Sequence, residues 1–508
     1  MTGAQQPERR TFTSRTPATE NPGDPHRRGF VTRHQVSGWR FVMRRIASGV
    51  ALHDTRMLVD PLRTQTRAVL VGALVLITGL AGCFLFSLIR PGGTAGNDAV
   101  LADRSTSALY VKVGEALHPV LNLASARLIV GRPDNPTTVK SAELDKIARG
   151  NLLGIPAAPE RMVQNNSRDA EWTVCDTVSG AASGLTVISG PLVDGGEHAV
   201  ALAGDSAVLV ENDGRAWLLW QGKRSPVDLT DRAITDALGF GPRPQTPRRI
   251  ATGLFNAIPE APALTAPPIP SAGEPPRFPL AVPAPVGAVV VSYDTDNTLR
   301  HYAVLPDGLQ PVPPVLAAIL RNTDSYGFDR PPRLGADEVS RLPVSDVIDT
   351  TSYPADPVTL VDAANAPVTC ARWTKPDDAN VSALTLLSGA ALPVEPHTRT
   401  VDLVSTGTRV SLPVGSGYLV QTVGQEPGSP TAGSQFWIGD TGVRYGIDGG
   451  TDDGGKAVEA LGLTAPPLPI PWSVLSLYAA GPTLSRADAL TAHDSIRPDV
   501  TAQAGEIR

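Results

Sequence analysis

An apolar run of 22 residues without a charge, at positions 68–89 (AVLVGALVLITGLAGCFLFSLI), limits the possible folds more than any other feature. Arg63 and Arg67 precede the run and Arg90 follows it. A helix of this length rises about 1.5 Å per residue and therefore spans the roughly 30 Å hydrocarbon core of a bilayer. Core helices of soluble proteins rarely run this long without a polar face. The run predicts one transmembrane helix in a single-pass membrane protein.

Charge is distributed unevenly on the two sides of this helix. Residues 1–67 contain 12 arginines, no lysine and 5 acidic residues, a net charge of +7. Residues 68–508 contain 32 basic and 45 acidic residues, a net charge of −13. Because positively charged segments beside a span stay in the cytoplasm, we expect a cytoplasmic N-terminus and a periplasmic domain at 90–508 in the inner membrane. Neither part has the character of a nucleic-acid-binding domain, so no nucleic acid is expected as a partner.

Cys83 allows a second interpretation of the apolar run. Residues 80–83 (LAGC) fit the lipobox of a bacterial lipoprotein, in which Cys83 would carry the lipid. However, 67 residues precede the run, whereas a signal peptide has only a short charged region there. The residues after Cys83 (FLFSLI) also remain apolar. We therefore favour a cysteine packed within the span, and the sequence leaves open whether Cys83 is modified.

The N-terminal segment divides into a polar tail and an amphipathic helix. Residues 1–31 are rich in Pro, Arg, Thr and Gly and are predicted to be disordered. Thr32 and Gln35 have the spacing of a capping box, so a cytoplasmic helix is predicted over 32–60. Five apolar residues recur at steps of three and four and share one face of it: Val36, Trp39, Met43, Ile46 and Val50. The basic residues that accompany them are Arg40, Arg44 and Arg45.

A short basic amphipathic helix beside a span can lie on the anionic inner leaflet or dock on a partner protein. The alternative is a solvated helix whose apolar stripe packs only incidentally. Trp39 on the apolar face favours binding to the membrane surface or to a partner.

The same segment carries a family resemblance. Residues 32–41 (TRHQVSGWRF), an RR pair at 44–45, an arginine-flanked span and a large outer domain rich in Ala, Pro, Gly and Val follow one another. This order closely resembles the EccB subunit of actinobacterial type VII (ESX) secretion systems, and the resemblance covers nearly the whole chain. It implies a structural core component of an inner-membrane secretion complex that also contains EccC, which is the motor ATPase, EccD and EccE.

The resemblance also implies particular contacts. The amphipathic helix and the span would pack on the membrane partners, and the outer domain would pair with other copies of itself in the periplasm, bracing the machine during protein export. The repeats of the family resemble cell-wall-binding repeats. A membrane anchor that binds peptidoglycan is therefore the alternative function.

The outer region resembles itself at a distance of about 200 residues, which indicates an internal duplication. The matching landmarks are 117–128 with 309–320, Cys175 with Cys370, 185–190 with 384–389, 237–239 with 460–462, and 262–264 with 482–484. They predict a first half at about 100–258, a second half at about 286–490, and a flexible C-terminal tail. Between them, residues 259–285 contain ten prolines and form an extended connector. Each half would hold two small repeats, giving four repeats around a central strand-rich core.

Short strands dominate the predicted secondary structure of the outer domain. Apolar β-rich runs between Gly, Asp and Pro turns predict strands at 185–188, 207–210, 216–219, 288–292, 400–404 and 417–420. Short helices are predicted at 228–238, 315–320 and 456–461. The expected fold is a β-rich mixed α/β domain.

Three cysteines bear on the compartment. Cys175 and Cys370 occupy equivalent positions of the two halves, on the predicted outer side, whereas Cys83 lies in the span. In an oxidising compartment a disulfide between Cys175 and Cys370 is the favoured interpretation, with two buried free thiols as the alternative. Such a bond would close a loop of about 195 residues and stabilise the fold by about 4–5 kcal/mol through chain entropy.

Residues 450–457 (GTDDGGKA) come closest to a catalytic motif. Gly450, Gly455 and Lys456 have the spacing of a P-loop, but Ala457 replaces the Ser or Thr that binds Mg²⁺. Two aspartates in the loop would also repel phosphate. Family members are often labelled ATPases, yet the sequence favours a simple turn, and a nucleotide hydrolase is the less favoured hypothesis. We predict no catalytic residue, no metal site and no cofactor.

Overall fold

The computed structural model describes residues 33–53, 61–89, 93–180, 183–395, 398–448 and 454–493. The chain forms two units, Met1–Gly92 and Gly93–Arg508. The segment predicted to be disordered, residues 1–31, lies outside the described residues, as do Thr32 and the predicted C-terminal tail from residue 494.

Two helices make up the described part of the first unit. Helix α1 is Arg33–Leu52 and helix α2 is Pro61–Ile89. The second helix begins seven residues before the apolar run that predicted it. Proline is well suited to the first position of a helix, because its fixed backbone angle matches and its missing N–H is not needed there.

Strands and short helices alternate through the second unit. The elements of its first half are β1 (Val100–Asp103), β2 (Leu109–Val113), β3 (Ala116–Val120), α3 (Leu123–Val130), β4 (Thr137–Val139), α4 (Ser141–Leu144), β5 (Ala170–Thr177), β6 (Gly184–Ser189), β7 (Val200–Ala201), β8 (Ser206–Asn212), β9 (Arg215–Trp220), β10 (Lys223–Pro226), α5 (Arg232–Ala237), β11 (Arg248–Arg249) and α6 (Thr252–Ala257).

The elements of the second half follow in chain order, and they include one short 3-10 helix at Thr350–Ser352. They are β12 (Val289–Tyr293), β13 (Leu299–Val304), β14 (Leu309–Val312), α7 (Pro314–Thr323), α8 (Ala336–Val339), β15 (Thr359–Leu360), β16 (Val368–Lys375), β17 (Ala383–Gly389), β18 (Thr400–Leu403), β19 (Thr408–Ser411), β20 (Tyr418–Val423), β21 (Gln435–Ile438), β22 (Val443–Gly446), α9 (Gly454–Leu461), β23 (Leu468–Pro471), α10 (Trp472–Leu475), β24 (Ala479–Ala480) and α11 (Arg486–Ala489).

A seven-stranded sheet occupies the centre of this unit, in the order β18-β19-β6-β5-β16-β17-β7. Strands β5 and β16, one from each half of the chain, lie side by side and antiparallel. Each of them pairs on its other side with the next strand of its own half, β6 or β17. Most side chains of β5 are buried, as expected of a strand covered on both faces.

One arrangement of elements recurs four times among the described residues of the second unit. Three antiparallel strands are followed by a helix, and a later segment then pairs in parallel with the first of the three strands. We call these arrangements modules 1 to 4, and they begin with β1, β8, β12 and β20 respectively. In each module a still later segment runs parallel to the third strand, as Arg149 does beside Leu117 in module 1.

The modules associate in two pairs through their helices. Helix α3 of module 1 packs on α9 of module 4, and one buried cluster contains residues of both modules. Helix α5 of module 2 packs on α7 of module 3 in the same way. A larger core lies against the central sheet and takes in α6 and α10. The three-stranded sheet of each module thus buries its apolar face against neighbouring elements, because a single sheet of three strands cannot cover that face itself.

Candidate membrane and assembly surfaces

Helix α2 has the properties of a membrane span. Residues Thr66–Phe86 have a mean hydropathy of 2.5, and α2 is the one helix in the described part of the chain that is long and apolar enough to cross a membrane. All of their side chains are exposed within the unit. The hydroxyl of Thr78, a polar group in this stretch, donates a hydrogen bond to the Leu74 carbonyl at 2.8 Å. Cys83 is exposed inside the same helix, which continues to Ile89.

Helix α1 displays the predicted apolar stripe. At about 100° per residue, Val36, Trp39, Met43, Ile46 and Val50 fall within an arc of about 80°. The structure leaves all five exposed within their unit, from 37% for Val36 to 74% for Val50. Three arginines of the same helix, also exposed, lie outside this arc: Arg40, Arg44 and Arg45. This helix has an apolar surface available to a membrane or to a partner.

Cys175 and Cys370 form a disulfide at the centre of the second unit. They are register partners on the adjacent strands β5 and β16, and both are fully buried. Trp172 and Trp373 are register partners on the same two strands and are also buried. The bond therefore joins the two halves of the chain directly across the middle of the central sheet.

Asp176, which directly follows Cys175 in β5, is a buried charged residue, and the half-buried Arg248 interacts with it. The Asp176 carboxylate accepts a hydrogen bond from the backbone N–H of Ala251 at 2.8 Å, at the start of α6. Arg248 donates to the carbonyl of Ala366 at 3.0 Å. Burial raises the pKa of the Asp176 carboxyl and lowers the pKa of the Arg248 guanidinium to about 10, and the attraction between them offsets part of each shift. Nothing local in the sequence distinguishes either residue from a surface charge, so neither was predicted.

The P-loop-like stretch falls in module 4. Gly450 lies outside the described residues, and Gly455 and Lys456 belong to the first turn of α9. Ala457 is buried in the core shared by modules 1 and 4, so this position contributes packing and offers no side-chain oxygen to a metal. Among the described residues, no group of three His, Cys, Asp or Glu side chains could hold a metal ion.

A shallow cavity of about 250 Å³ lies beside the N-terminal end of β5. An ion pair between Arg168 and Asp377, with 2.9 Å between nitrogen and oxygen, forms part of its wall. The cavity is lined by Ser167, Arg168, Lys375, Pro376, Asp377, Thr431, Pro466, Pro467, Leu468 and Pro469. The Ser167 hydroxyl in this lining donates a hydrogen bond to the Asp169 carbonyl at 3.0 Å.

Comparisons with known proteins match nearly the whole chain. The family profile described as "Type VII secretion system ESX-1, transport TM domain B", the EccB profile, matches residues 28–498. The protein named "ESX-3 secretion system ATPase EccB3" from Mycolicibacterium smegmatis is 68% identical over 507 residues, which cover 98% of each chain.

Two solved structures resemble most of the chain. A chain of an intact ESX-5 inner membrane complex matches with a TM-score of 0.71 and 35% identity, covering 94% of this chain and 98% of that one. A chain of the structure described as an EccB3 dimer from the ESX-3 core complex matches with a TM-score of 0.70 and 62% identity, covering 78% of this chain and 100% of that one.

Proposed function

Because this chain belongs to the EccB family of type VII secretion systems, we propose that it is a structural core component of an ESX inner-membrane complex. The observation that carries this proposal is the likeness, over 94% of the chain, to a subunit of an intact ESX-5 inner membrane complex. Identities of 68% and 62% to ESX-3 proteins, against 35% to the ESX-5 chain, favour a complex of the ESX-3 type. Its role is to brace the machine and to build the periplasmic assembly during export.

The proposed topology places the N-terminus in the cytoplasm and residues 90–508 in the periplasm. The net charge of +7 before the span and −13 from the span onward supports this orientation. A buried disulfide in the second unit supports it as well, because disulfides persist in the bacterial periplasm and are rare in the cytosol.

Helix α1 is the proposed cytoplasmic docking element. The apolar stripe centred on Trp39 and Met43 would lie against the inner leaflet or against another membrane subunit, with Arg40, Arg44 and Arg45 facing anionic headgroups or acidic side chains. The family implies EccC, EccD and EccE as the subunits available for this contact.

The outer unit is proposed to have arisen by duplication of a two-module ancestor. Support comes from the order of elements, since β3 and α3 stand to module 1 as β14 and α7 stand to module 3. Further support comes from Cys175 and Cys370, which occupy matching positions of the two halves and face each other in register. In this proposal modules 1 and 2 form the first half, modules 3 and 4 the second, and residues 259–285 the connector.

Self-association through the outer unit completes the proposal. The solved relative of 62% identity is described as a dimer, and a second relative of 37% identity belongs to the periplasmic assembly of an ESX-5 complex. A structural subunit that contributes several copies to one machine needs such contacts to set their spacing.

Gentle extraction tests the function directly. A C-terminally tagged chain is solubilised in several mild detergents, and the material that accompanies it is sized under native conditions and identified by mass spectrometry. We expect a large assembly that contains a multidomain ATPase and a subunit with many spans. A lone monomer or dimer in every detergent would contradict the structural role and favour the peptidoglycan anchor.

A further inference from the structure

Modules 2 and 4 both place an arginine of the third strand against aromatic rings. In module 2 the guanidinium carbon of Arg224 lies 3.8 Å from the ring centroid of Phe255 and 5.6 Å from that of Trp217. In module 4 the guanidinium carbon of Arg444 lies 4.9 Å from the centroid of Trp472 and 5.9 Å from that of Phe436. Each arginine can therefore make cation–π contacts with two rings.

The two arginines hold the same position in their modules. Arg224 is the second residue of β10 and Arg444 is the second residue of β22, and each pairs with an antiparallel middle strand. Counting back along those middle strands, Trp217 lies two residues before the register partner of Arg224, and Phe436 lies two residues before the register partner of Arg444.

The segments that run parallel to these third strands differ at one decisive position. The parallel neighbour of Arg224 is Glu260, whose carboxylate forms an ion pair with the Arg224 guanidinium at 3.2 Å. The parallel neighbour of Arg444 is Ala480. In module 2 the chain itself therefore supplies a carboxylate, whereas at the same register in module 4 it supplies a methyl group.

The two sites also differ in how well they are covered. Trp217 and Phe255 are each 8% exposed, and the Arg224 side chain is 12% exposed. By contrast, Trp472 is 51% exposed. Thr252 holds in module 2 the position that Trp472 holds in module 4. Each is the first residue of its helix, Thr252 of α6 and Trp472 of α10.

The Arg444 guanidinium has only part of its hydrogen-bonding and ion-pairing capacity met by the described residues. Its Nε donates to the Tyr478 carbonyl at 3.3 Å, and none of the described carboxylates lies within 4 Å of it. Burial lowers the pKa of this guanidinium, and no acidic side chain in the described part of the chain offsets that effect. A half-desolvated cation beside an exposed indole combines the two residue types most enriched at the energetic centres of protein interfaces.

We propose that a second copy of this chain covers Trp472 and supplies the carboxylate that Arg444 lacks. The inference rests on the self-association proposed above and assigns it a surface, formed by Phe436, Arg444, Trp472 and Ala480. The relative of 62% identity that is described as a dimer supports a copy of the same chain as the occupant. Residues 68–508 carry 45 acidic residues, so a second copy also has the class of side chain that would pair with Arg444. The contact reproduces between two molecules what Glu260 does within one.

The most direct test installs the missing carboxylate in the same chain. Ala480 is exposed, so Ala480→Glu removes no buried group and gives Arg444 the partner that Arg224 already has. We expect this variant to weaken self-association of the full-length chain, in detergent or nanodiscs, at least about tenfold by sedimentation velocity. Trp472→Thr, which introduces the residue of module 2, should weaken it to a similar extent. The controls are Ala364→Glu and Val404→Thr, both at exposed positions, and they should associate like the wild type.

The outcomes separate the two proposals. If the wild type associates and both Ala480→Glu and Trp472→Thr associate equally tightly, the surface assignment is wrong while self-association stands. A wild type that remains monomeric at tens of micromolar would overturn both. A photoreactive phenylalanine at position 472, introduced in cells, should yield a crosslinked product of two copies. A product with a different protein, or with residues 494–508 of the same chain, would overturn the assignment of a second copy.

Discussion

Asp176 shows how a single buried carboxyl links the disulfide strand β5 to helix α6. Its Oδ2 accepts from the Ala251 N–H, and burial raises its pKa. A carboxyl whose pKa is higher in the folded state than in the unfolded state costs stability when it is ionised. This cost is present above the folded pKa and disappears as the pH falls through the folded pKa toward the unfolded value.

We therefore expect the thermal-unfolding midpoint of the wild type, relative to that of Asp176→Asn, to rise as the pH is lowered from about 7 to about 4. The asparagine oxygen can still accept from Ala251, so the variant retains the hydrogen bond and loses the titration together with the attraction to Arg248. Asp194→Asn removes an exposed carboxylate of the same half and serves as the control. A difference between wild type and Asp176→Asn that does not change with pH would contradict the prediction.

Lys456 carries a second prediction at this scale. Ala457 packs in the core between modules 1 and 4, and no hydroxyl is available there for a nucleotide-bound Mg²⁺. We expect Lys456→Ala to leave ATP turnover by the purified chain at the level of the wild type, measured after any co-purifying ATPase has been removed by size exclusion. Turnover that disappears specifically in Lys456→Ala would establish the hydrolase hypothesis.

The sequence alone predicts which residues of modules 2 and 4 are equivalent at the proposed self-association surface, but it does not predict their exposure. The match of 262–264 with 482–484 has an offset of 220, and the same offset aligns Arg224 with Arg444 and Glu260 with Ala480. The alignment alone does not show that the Arg224 site is closed and the Arg444 site open. Exposure depends on which distant segments pack above each ring, and this information is not local.

At the scale of elements, most predicted strands and helices lie within a few residues of those in the structure. The helix predicted over 32–60 ends at Leu52 in the structure. In the outer unit the largest shift is at 228–238, where helix α5 starts only at Arg232. Asp231 accepts from the N–H of Ala233 and so fixes the helix start. Asp228 accepts from the N–H of Thr230 and holds the preceding residues in a turn. Aspartate thus competes with helix formation here through its own backbone contacts.

Helix α1 provides the prediction at this scale. The double substitution of Trp39→Ser and Ile46→Ser removes two exposed apolar side chains from the stripe, each worth about 2 kcal/mol when buried against a lipid or a partner. We expect the amount of assembled complex recovered through a C-terminal tag to fall several-fold. Phe41→Ser is the matched control, because it removes an aromatic residue that lies about 140° around the helix from the edge of the stripe. Equal recovery of the double variant and the control would exclude a docking role for the stripe.

The whole molecule depends on contacts between its two halves. The sequence comparison predicted two related halves, but the pairing of module 1 with module 4 and of module 2 with module 3 has no local signature. These pairs form between helices far apart in the chain, α3 with α9 and α5 with α7. Composition and periodicity indicate which face of a helix is apolar, and they carry no information about which distant face will cover it.

The disulfide gives the prediction at the scale of the whole molecule. Cys175–Cys370 closes a loop with a sequence separation of 195 residues. Its removal by Cys370→Ser should lower the free energy of unfolding by about 4–5 kcal/mol in the chain-entropy description. Cys83→Ser removes the exposed cysteine of the span and should leave stability unchanged. A reducing agent should destabilise the wild type and Cys83→Ser but not Cys370→Ser, and equal sensitivity of all three would contradict the role of this bond.

The pairing of the first module with the last has a consequence for biosynthesis. In the topology proposed above, the chain reaches the periplasm from the span onward, so helix α3 emerges more than 300 residues before α9. Until then the apolar side of module 1 has no covering partner, although modules 2 and 3 can already pair with each other. In that topology the nascent outer unit therefore exposes the apolar side of module 1 until module 4 has been synthesised, and during this interval the chain is prone to aggregation.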